Sequence, residues 1–199
     1  MDRKGAFIVI EGLDGSGKTT QAKLLAAKLK KSHGAVYTAE PSHGKIGKFI
    51  RNRILYGDSR PPTSVEALLF AADRIEHIQN EVIPTLEKGH LVVSDRYLYS
   101  SLAYQGSAGL STEWIQTINQ HAMKPDLALF IDVDPETVFQ RLKRKKSVME
   151  NLETQRKVRE VYLKYVENGE LTRINGGKPK KTVAEEVLAA VTTFLKKKV

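Results

Sequence analysis

Short apolar runs alternate with stretches of helical periodicity along this chain. AFIVIE (Ala6–Glu11), flanked by Gly5 and Gly12, reads as a buried strand. From Lys18 to Lys31, Ala22, Leu24, Leu25 and Leu29 recur at helical spacing. AVYTAE (Ala35–Glu40), closed by Pro41, is a second strand, and a helix follows from about Lys45 to Leu55. After the loop GDSRPPTS (Gly57–Ser64), Thr63-Ser64-Val65-Glu66 has the form of a capping box and opens a long helix. Val65, Leu68, Leu69, Ala72, Ile75 and Ile83 make one apolar stripe along it, the side expected to face the core. Pro84 should kink that helix or end its regular hydrogen bonding. LVVSD (Leu91–Asp95) and LALFIDV (Leu127–Val133) are further strands, and LTRIN (Leu171–Asn175) a weak fifth. Asp134-Pro135 reads as an N-cap with proline at the first helical position. Thr182-Val183-Ala184-Glu185 is a second capping box, opening the last helix.

Alternation of this kind predicts a parallel sheet covered by helices on both faces and joined by right-handed crossovers. The expectation is one doubly wound α/β domain over residues 1–199, with five strands. Ligands in such a sheet bind beyond the carboxyl ends of the strands.

Two residues break the pattern. Phe70 and Arg74, one helical turn apart, fall roughly 140–180° from the centre of the apolar stripe. A flat ring there can stack on a nucleobase. A guanidinium is a donor only, so it suits a base with a carbonyl acceptor, such as thymine or uracil, rather than cytosine. The same face could instead pack on another helix or on a second subunit.

Composition narrows the chemistry. An apolar share of 41% suits a globular protein. The net charge of +9, from 32 Lys+Arg against 23 Asp+Glu, points to anionic partners, unless the lysines merely solvate the surface. Basic residues cluster in LKRKK (Leu142–Lys146), GGKPKK (Gly176–Lys181) and Lys196–Lys198. The absence of cysteine excludes disulfides, cysteine-ligated zinc and thiol nucleophiles. No apolar run approaches the ~20 residues needed to span a bilayer. AFIVI is too short for a signal peptide. A cytoplasmic, soluble protein with no membrane partner is expected.

Gly12-Leu13-Asp14-Gly15-Ser16-Gly17-Lys18-Thr19 matches GxxxxGK[ST], between a predicted strand and a predicted helix as that motif requires. Its glycines let backbone N–H groups wrap anionic phosphates, and the helix N-terminus adds positive charge. Lys18 should reach the β- and γ-phosphates, and Thr19 should hold Mg²⁺. No NKxD stretch for guanine occurs, which disfavours a GTPase and leaves a small kinase. The third strand ends in Ser94-Asp95-Arg96-Tyr97. Asp95 can orient Mg²⁺ through its water shell, and the Arg96 fork can clamp a second phosphate. The alternative is a structural Asp–Arg pair.

GLDGSGKTT, LLFAADR, SDRYLYSSLAYQ and KPDLALFIDV, in this order and spacing, resemble thymidylate kinases from Phe7 to Leu195. The resemblance implies transfer of the ATP γ-phosphoryl group to dTMP with Mg²⁺, giving dTDP for dTTP synthesis, by a protein that is typically a homodimer. It makes Phe70 the thymine stacker and Arg74 the donor to O4. It places Arg96 on the acceptor phosphate and Asp14 on the sugar 3′-OH. Tyr104 would sit against C2′ and exclude a ribose hydroxyl; core packing is the alternative for Tyr104, as for Tyr97. Ser101 and Gln105 would line the base pocket, and Glu40 joins the substrate-binding set. Gly12, Asp14, Gly15, Ser16, Gly17, Lys18, Thr19, Thr20 and Arg141 would hold ATP. Lys18, Asp95, Arg96 and Arg144 would be catalytic, with Thr19 and Asp95 at the metal.

Arg141, Arg144 and Lys145 begin a basic segment that looks like the family's lid, about residues 141–153, unless it is a solvated helix end. The chain departs from the family in three places. Gly15 stands where some members have an arginine inside the phosphate loop. Ala39-Glu40-Pro41 replaces the usual Arg-Glu-Pro, so His43 or Lys45 could complete the phosphate clamp. The lid reads Glu150-Asn151-Leu152-Glu153, where an acidic residue followed by arginine is frequent. GGKPKK is a plausible adenine position. Two competing readings are a kinase for another nucleotide or deoxynucleoside, and a nucleotide-gated protein that holds nucleic acid. No helix-turn-helix, RNP-like aromatic pattern or repeat supports the second.

Overall fold

The computed structural model describes residues 5–57, 60–141 and 151–198. Five parallel strands form one sheet: β1 (Ala6–Gly12), β2 (Val36–Ala39), β3 (Leu91–Asp95), β4 (Leu127–Asp132) and β5 (Thr172–Asn175). Their order is β2-β3-β1-β4-β5. β1 is central, with Ile8 opposite Val93 on one side and Leu127 on the other. Every β1 residue is buried, which is why that strand reads as a continuous apolar run rather than an alternating one. The chain crosses from β1 to β2 and β3 on one side, then to β4 on the other. The crevice beyond β1 is thus the topological switch point, where ligands of such sheets bind.

α1 (Lys18–His33) follows β1 and packs against α9 (Lys180–Lys198). α5 (Leu98–Ser107) follows β3 and packs against α8 (Leu152–Glu167). Phe130 stacks on Tyr162 of α8, and Asp132, two residues along β4, pairs with Arg159 of the same helix. α6 (Thr112–Ile118) packs on α5, and α7 (Pro135–Arg141) on α8. Asp134 caps α7 as its spacing implies, with its side chain accepting the Glu136 N–H at 3.0 Å.

Two helices carry π-helical turns. α2 (Lys45–Phe49) continues as a π turn over Ile50–Leu55. α3 (Thr63–His77) widens to a π turn over Ile78–Val82 before resuming as α4 (Ile83–Glu87). The wide turn precedes Pro84, whose missing N–H and bulky ring prevent the regular pattern, so the expected disruption is present.

Three expectations need correction. Neither capping box forms. α3 is entered from Pro62 without a side-chain cap, and Glu66 turns inward instead of back to Thr63. α9 begins at Lys180, so Thr182–Glu185 lies inside the helix. The third correction concerns the orientation of α3. Val65 and Leu68 of its apolar stripe are 42% and 49% exposed. The opposite face, with Glu66, Ala67, Ala71, Asp73, Arg74 and His77, is buried. Burying charge is tolerable only when it is matched, and here it is. Asp73 accepts the Ser42 N–H at 2.8 Å and the Ser42 hydroxyl at 2.6 Å. Arg74 and His77 both meet Glu40.

Candidate active site

The phosphate loop runs from the end of β1 into α1. Gly15 and Gly17 take φ of +85° and +94°, which a side chain would oppose. α1 starts without a side-chain cap, so its first N–H groups face the loop. Ser16 Oγ is buried in the loop with no partner. The Lys18 ammonium is buried, 3.2 Å from the Leu13 carbonyl and 3.4 Å from Asp14 Oδ1. Burial, reinforced by the Arg96 charge, lowers its pKa, while Asp14 and Asp95 oppose the shift. Gly12 is buried; Thr19 and Thr20 are exposed.

The turn after β3 supplies the second cation. Arg96 has φ +72°, the one positive value outside glycine among the described residues. Its N–H donates to the Ile10 carbonyl at 3.0 Å, and Ser94 Oγ donates to its carbonyl at 2.8 Å, which pins the strained turn. Its guanidinium donates to Ser100 Oγ at 2.8 Å, to the Tyr104 hydroxyl at 3.3 Å and to Asp14. Tyr104 lies under it, 4.9 Å from ring centre to Cζ. Asp14 therefore stands between Lys18 and Arg96, and also accepts the Tyr104 hydroxyl at 3.2 Å. Burial alone would raise the Asp14 carboxyl; the charges of Arg96 and Lys18 outweigh it and hold the group far below the usual range. The Asp95–Arg96 pair allowed by the sequence does not form.

Asp95 faces the phosphate loop instead. Thr19 Oγ1 donates to its Oδ2 at 2.5 Å, while its Oδ1 is buried without a partner. Among the described residues no cluster of three or more His, Cys, Asp or Glu could hold a metal by itself. Two oxygens, one of them orphaned, suit a Mg²⁺ that completes its shell from phosphates and water.

A second group of buried polar side chains lies between α3 and α5. Arg74, 1% exposed, donates through Nε to Glu40 Oε2 at 2.9 Å, through Nη2 to Ser101 Oγ at 3.1 Å and through Nη1 to Asn119. Nη1 carries a second N–H beyond the one given to Asn119. Phe70, one turn away, is half-buried and is not among the residues packed on the hydrophobic core. Ser101 and Gln105 are buried on α5, with Gln105 Nε2 donating to Glu66 at 3.0 Å. Glu40 is buried beneath Arg74, its second oxygen 3.2 Å from His77 Nδ1. Tyr97 packs edge-on against Phe7 in the core, as the simpler reading of it had it.

Several members of this site give little sign of themselves in the sequence. Glu11 is fully buried beside Arg96 and accepts from the Tyr97 and Ser100 N–H groups, the Ser100 hydroxyl (2.6 Å) and the Tyr162 hydroxyl (2.9 Å). Burial raises its pKa, while Ser100, Arg96 and Tyr162 restrain the rise. It fixes the start of α5 and, through Ser100, the Arg96 fork. Its one signal is an acid closing an apolar strand. Arg51 donates to the carbonyls of Pro41 and Ser42. A guanidinium thus does stand by the loop after β2, but it comes from the π turn following α2. His43 and Lys45 are exposed. Arg141 ends α7, exposed, whereas Arg144, Lys145 and lid residues 142–150 lie outside the described residues. A cavity of about 440 Å³ at the ends of β4 and β5, lined by Asp132, Arg159, Arg173, Asn175 and Gly177 among others, borders the GGKPKK loop.

Two cationic centres, one suited to a triphosphate and one to a second phosphate, thus share Asp14 beside a pocket with a flat ring and a buried guanidinium. The sequence model of the family described as thymidylate kinase matches residues 10–187. The chain is 45% identical over 197 residues to a probable thymidylate kinase of Pyrococcus abyssi, covering 94% of this chain and 96% of that protein. It is 42% identical to one of Thermococcus kodakarensis, covering 95% and 98%, and 48% identical to one of Pyrobaculum aerophilum, covering 79% and 81%. With its fold, its phosphate loop and these relatives in agreement, the chain belongs to the thymidylate kinase family.

Proposed function

We propose that the two cationic centres hold ATP and dTMP end to end within a single domain, and that α3 and α5 read the base. The reaction is that of the family: the γ-phosphoryl group of ATP passes to dTMP, giving dTDP. The observation that carries the residue assignment is the Lys18–Asp14–Arg96 cluster at the switch point of the sheet. Phosphoryl transfer asks the protein mainly for positioning and positive charge. The loop N–H groups and Lys18 take the donor phosphates, and Arg96 takes the acceptor phosphate. Incoming phosphates replace Asp14 as partner of both cations, which frees its carboxylate for the sugar 3′-OH. Thr19 and, through water, Asp95 would hold Mg²⁺, which when bound would supply positive charge against the donor phosphates. Tyr104, fixed by Asp14 and Arg96, closes the space at C2′. Phe70 stacks on thymine, and the second Nη1 N–H of Arg74 donates to O4.

The protein is proposed to act in the cytoplasm as a homodimer. No helix among the described residues is long and apolar enough to cross a membrane. The outward stripe of α3, with Val65 and Leu68, together with exposed Phe49 and Tyr56 near α2, offers an apolar surface that a second copy would cover. The test of function is an acceptor panel with ATP and Mg²⁺: dTMP should be phosphorylated well, dUMP less well, and CMP or AMP hardly at all. Equal rates across the panel would overturn the base assignment.

A further inference from the structure

We infer that Glu66 is a positioning residue that fixes which end of the Gln105 amide faces the base. On α3, Glu66, Phe70 and Arg74 recur every four residues, about 6 Å of rise per step. On α5, Ser101 and Gln105 are spaced the same way. The two helices are tied at both ends of this seam. Arg74 Nη2 donates to Ser101 Oγ at 3.1 Å, and Gln105 Nε2 donates to Glu66 Oε1 at 3.0 Å, with Phe70 midway between in sequence. Glu66 is 3% exposed and Gln105 4%. Glu66 Oε2 meets Arg60 at 3.1 Å, so the carboxylate is held from both sides.

A carboxylate only accepts, whereas an amide has one donating and one accepting end. Glu66 therefore compels Nε2 to face α3 and leaves Oε1 to face elsewhere. Turning the amide round would set two acceptors against each other in a buried place. Among the described residues, Gln105 Oε1 accepts no hydrogen bond. An acceptor at Gln105, one turn of α5 from the Ser101 that Arg74 meets, together with the donor at Arg74, suits the edge of a 4-oxo pyrimidine, with its N3–H donor next to the O4 acceptor. Cytosine presents the reverse pair. An amide free to rotate would serve either base. Glu66 thus converts an ambivalent residue into one that rejects cytosine, without touching the nucleotide itself.

The inference rests on the base lying against Phe70 and Arg74, and the experiment separates the two. dUMP and dCMP differ only at the edge in question, so the readout is the ratio of their kcat/KM values. Both are assayed on one preparation, so a reduced folded fraction cancels. Glu66→Gln should shrink the dUMP preference about tenfold, the worth of one misdirected hydrogen bond. Gln105→Leu should shrink it too, and adding Glu66→Gln to Gln105→Leu should change nothing further. A ratio within about twofold of wild type in Glu66→Gln, or an equal Glu66→Gln effect with and without Gln105, would overturn the role. Phe70→Ala is the control. If it leaves KM for dUMP unchanged, the base placement fails and takes the Glu66 role with it. If KM rises while Glu66→Gln keeps the ratio, the role of Glu66 alone falls.

Discussion

Removing Arg74 tests the buried face of α3 directly. Its guanidinium is 1% exposed and serves Glu40, Ser101 and Asn119, with the Tyr97 ring 5.2 Å from its Cζ. In Arg74→Ala the Glu40 carboxylate stays buried with His77, at 3.2 Å, as its remaining side-chain contact. Breaking a buried ion pair by deleting one member costs about 3–5 kcal/mol, chiefly because the other charge is stranded. In a domain of this size each kcal/mol moves Tm by about 2–4 °C, so thermal unfolding should begin roughly 6–20 °C earlier. If the stranded charge is the cause, adding Glu40→Gln should restore on the order of 1–3 kcal/mol. Urea unfolding at pH 7 of wild type, Arg74→Ala and the double variant measures all three values. A loss under about 1 kcal/mol, or a double variant weaker than the single one, would refute the argument. Where Arg74→Ala still folds, its discrimination between dTMP and dCMP should also weaken, because the donor proposed for O4 has gone.

Phe70→Ala should raise KM for dTMP more than KM for ATP; the reverse order would mean that the ring supports the fold rather than the base. His77 is held above its ordinary pKa: burial pulls it down, but the hydrogen bond and charge of Glu40 pull harder, aided by Glu81 and Asp73. A raised value in the folded state stabilises fully below about pH 6.5, and that contribution disappears as pH climbs through the folded value. The wild-type Tm should therefore fall more than that of His77→Gln as pH is raised above about 6.5; parallel curves would exclude the linkage. On the proposed homodimer, Leu68→Glu, on the exposed stripe, should shift the mass in light scattering from two copies to one, and an unchanged mass would overturn that interface.

The three inner strands, β1, β3 and β4, were legible because they are buried along nearly their whole length and so read as continuous apolar runs, whereas β5, exposed at the sheet edge, read only weakly. Observed strand ends agree with expectation to within a residue or so, and the phosphate loop lies where its glycines imply. The helix carrying Phe70 and Arg74 was misjudged for a physical reason. Periodicity finds the apolar side of a helix but not what covers it, and here the side facing the core is charged. Asp73, Arg74 and His77 can be buried because Ser42 and Glu40, some 30 or more positions earlier in the chain, answer them. Partners that distant leave no local signal. The same holds for Glu11, whose hydrogen bonds reach Ser100 and Tyr162, and for Glu66, which fits a capping motif but is claimed by Gln105.

Position 96 answers to two requirements that conflict. Its backbone, at φ +72°, would relax with glycine or asparagine. Its side chain must reach Asp14, Ser100 and Tyr104 at once, which takes a planar fork that lysine does not offer. No amino acid meets both demands without loss. With the role proposed for Arg96 in turnover, selection for heat resistance and selection for activity should therefore pull this codon in opposite directions, and a laboratory lineage evolved for hardiness alone would be expected to surrender its arginine early.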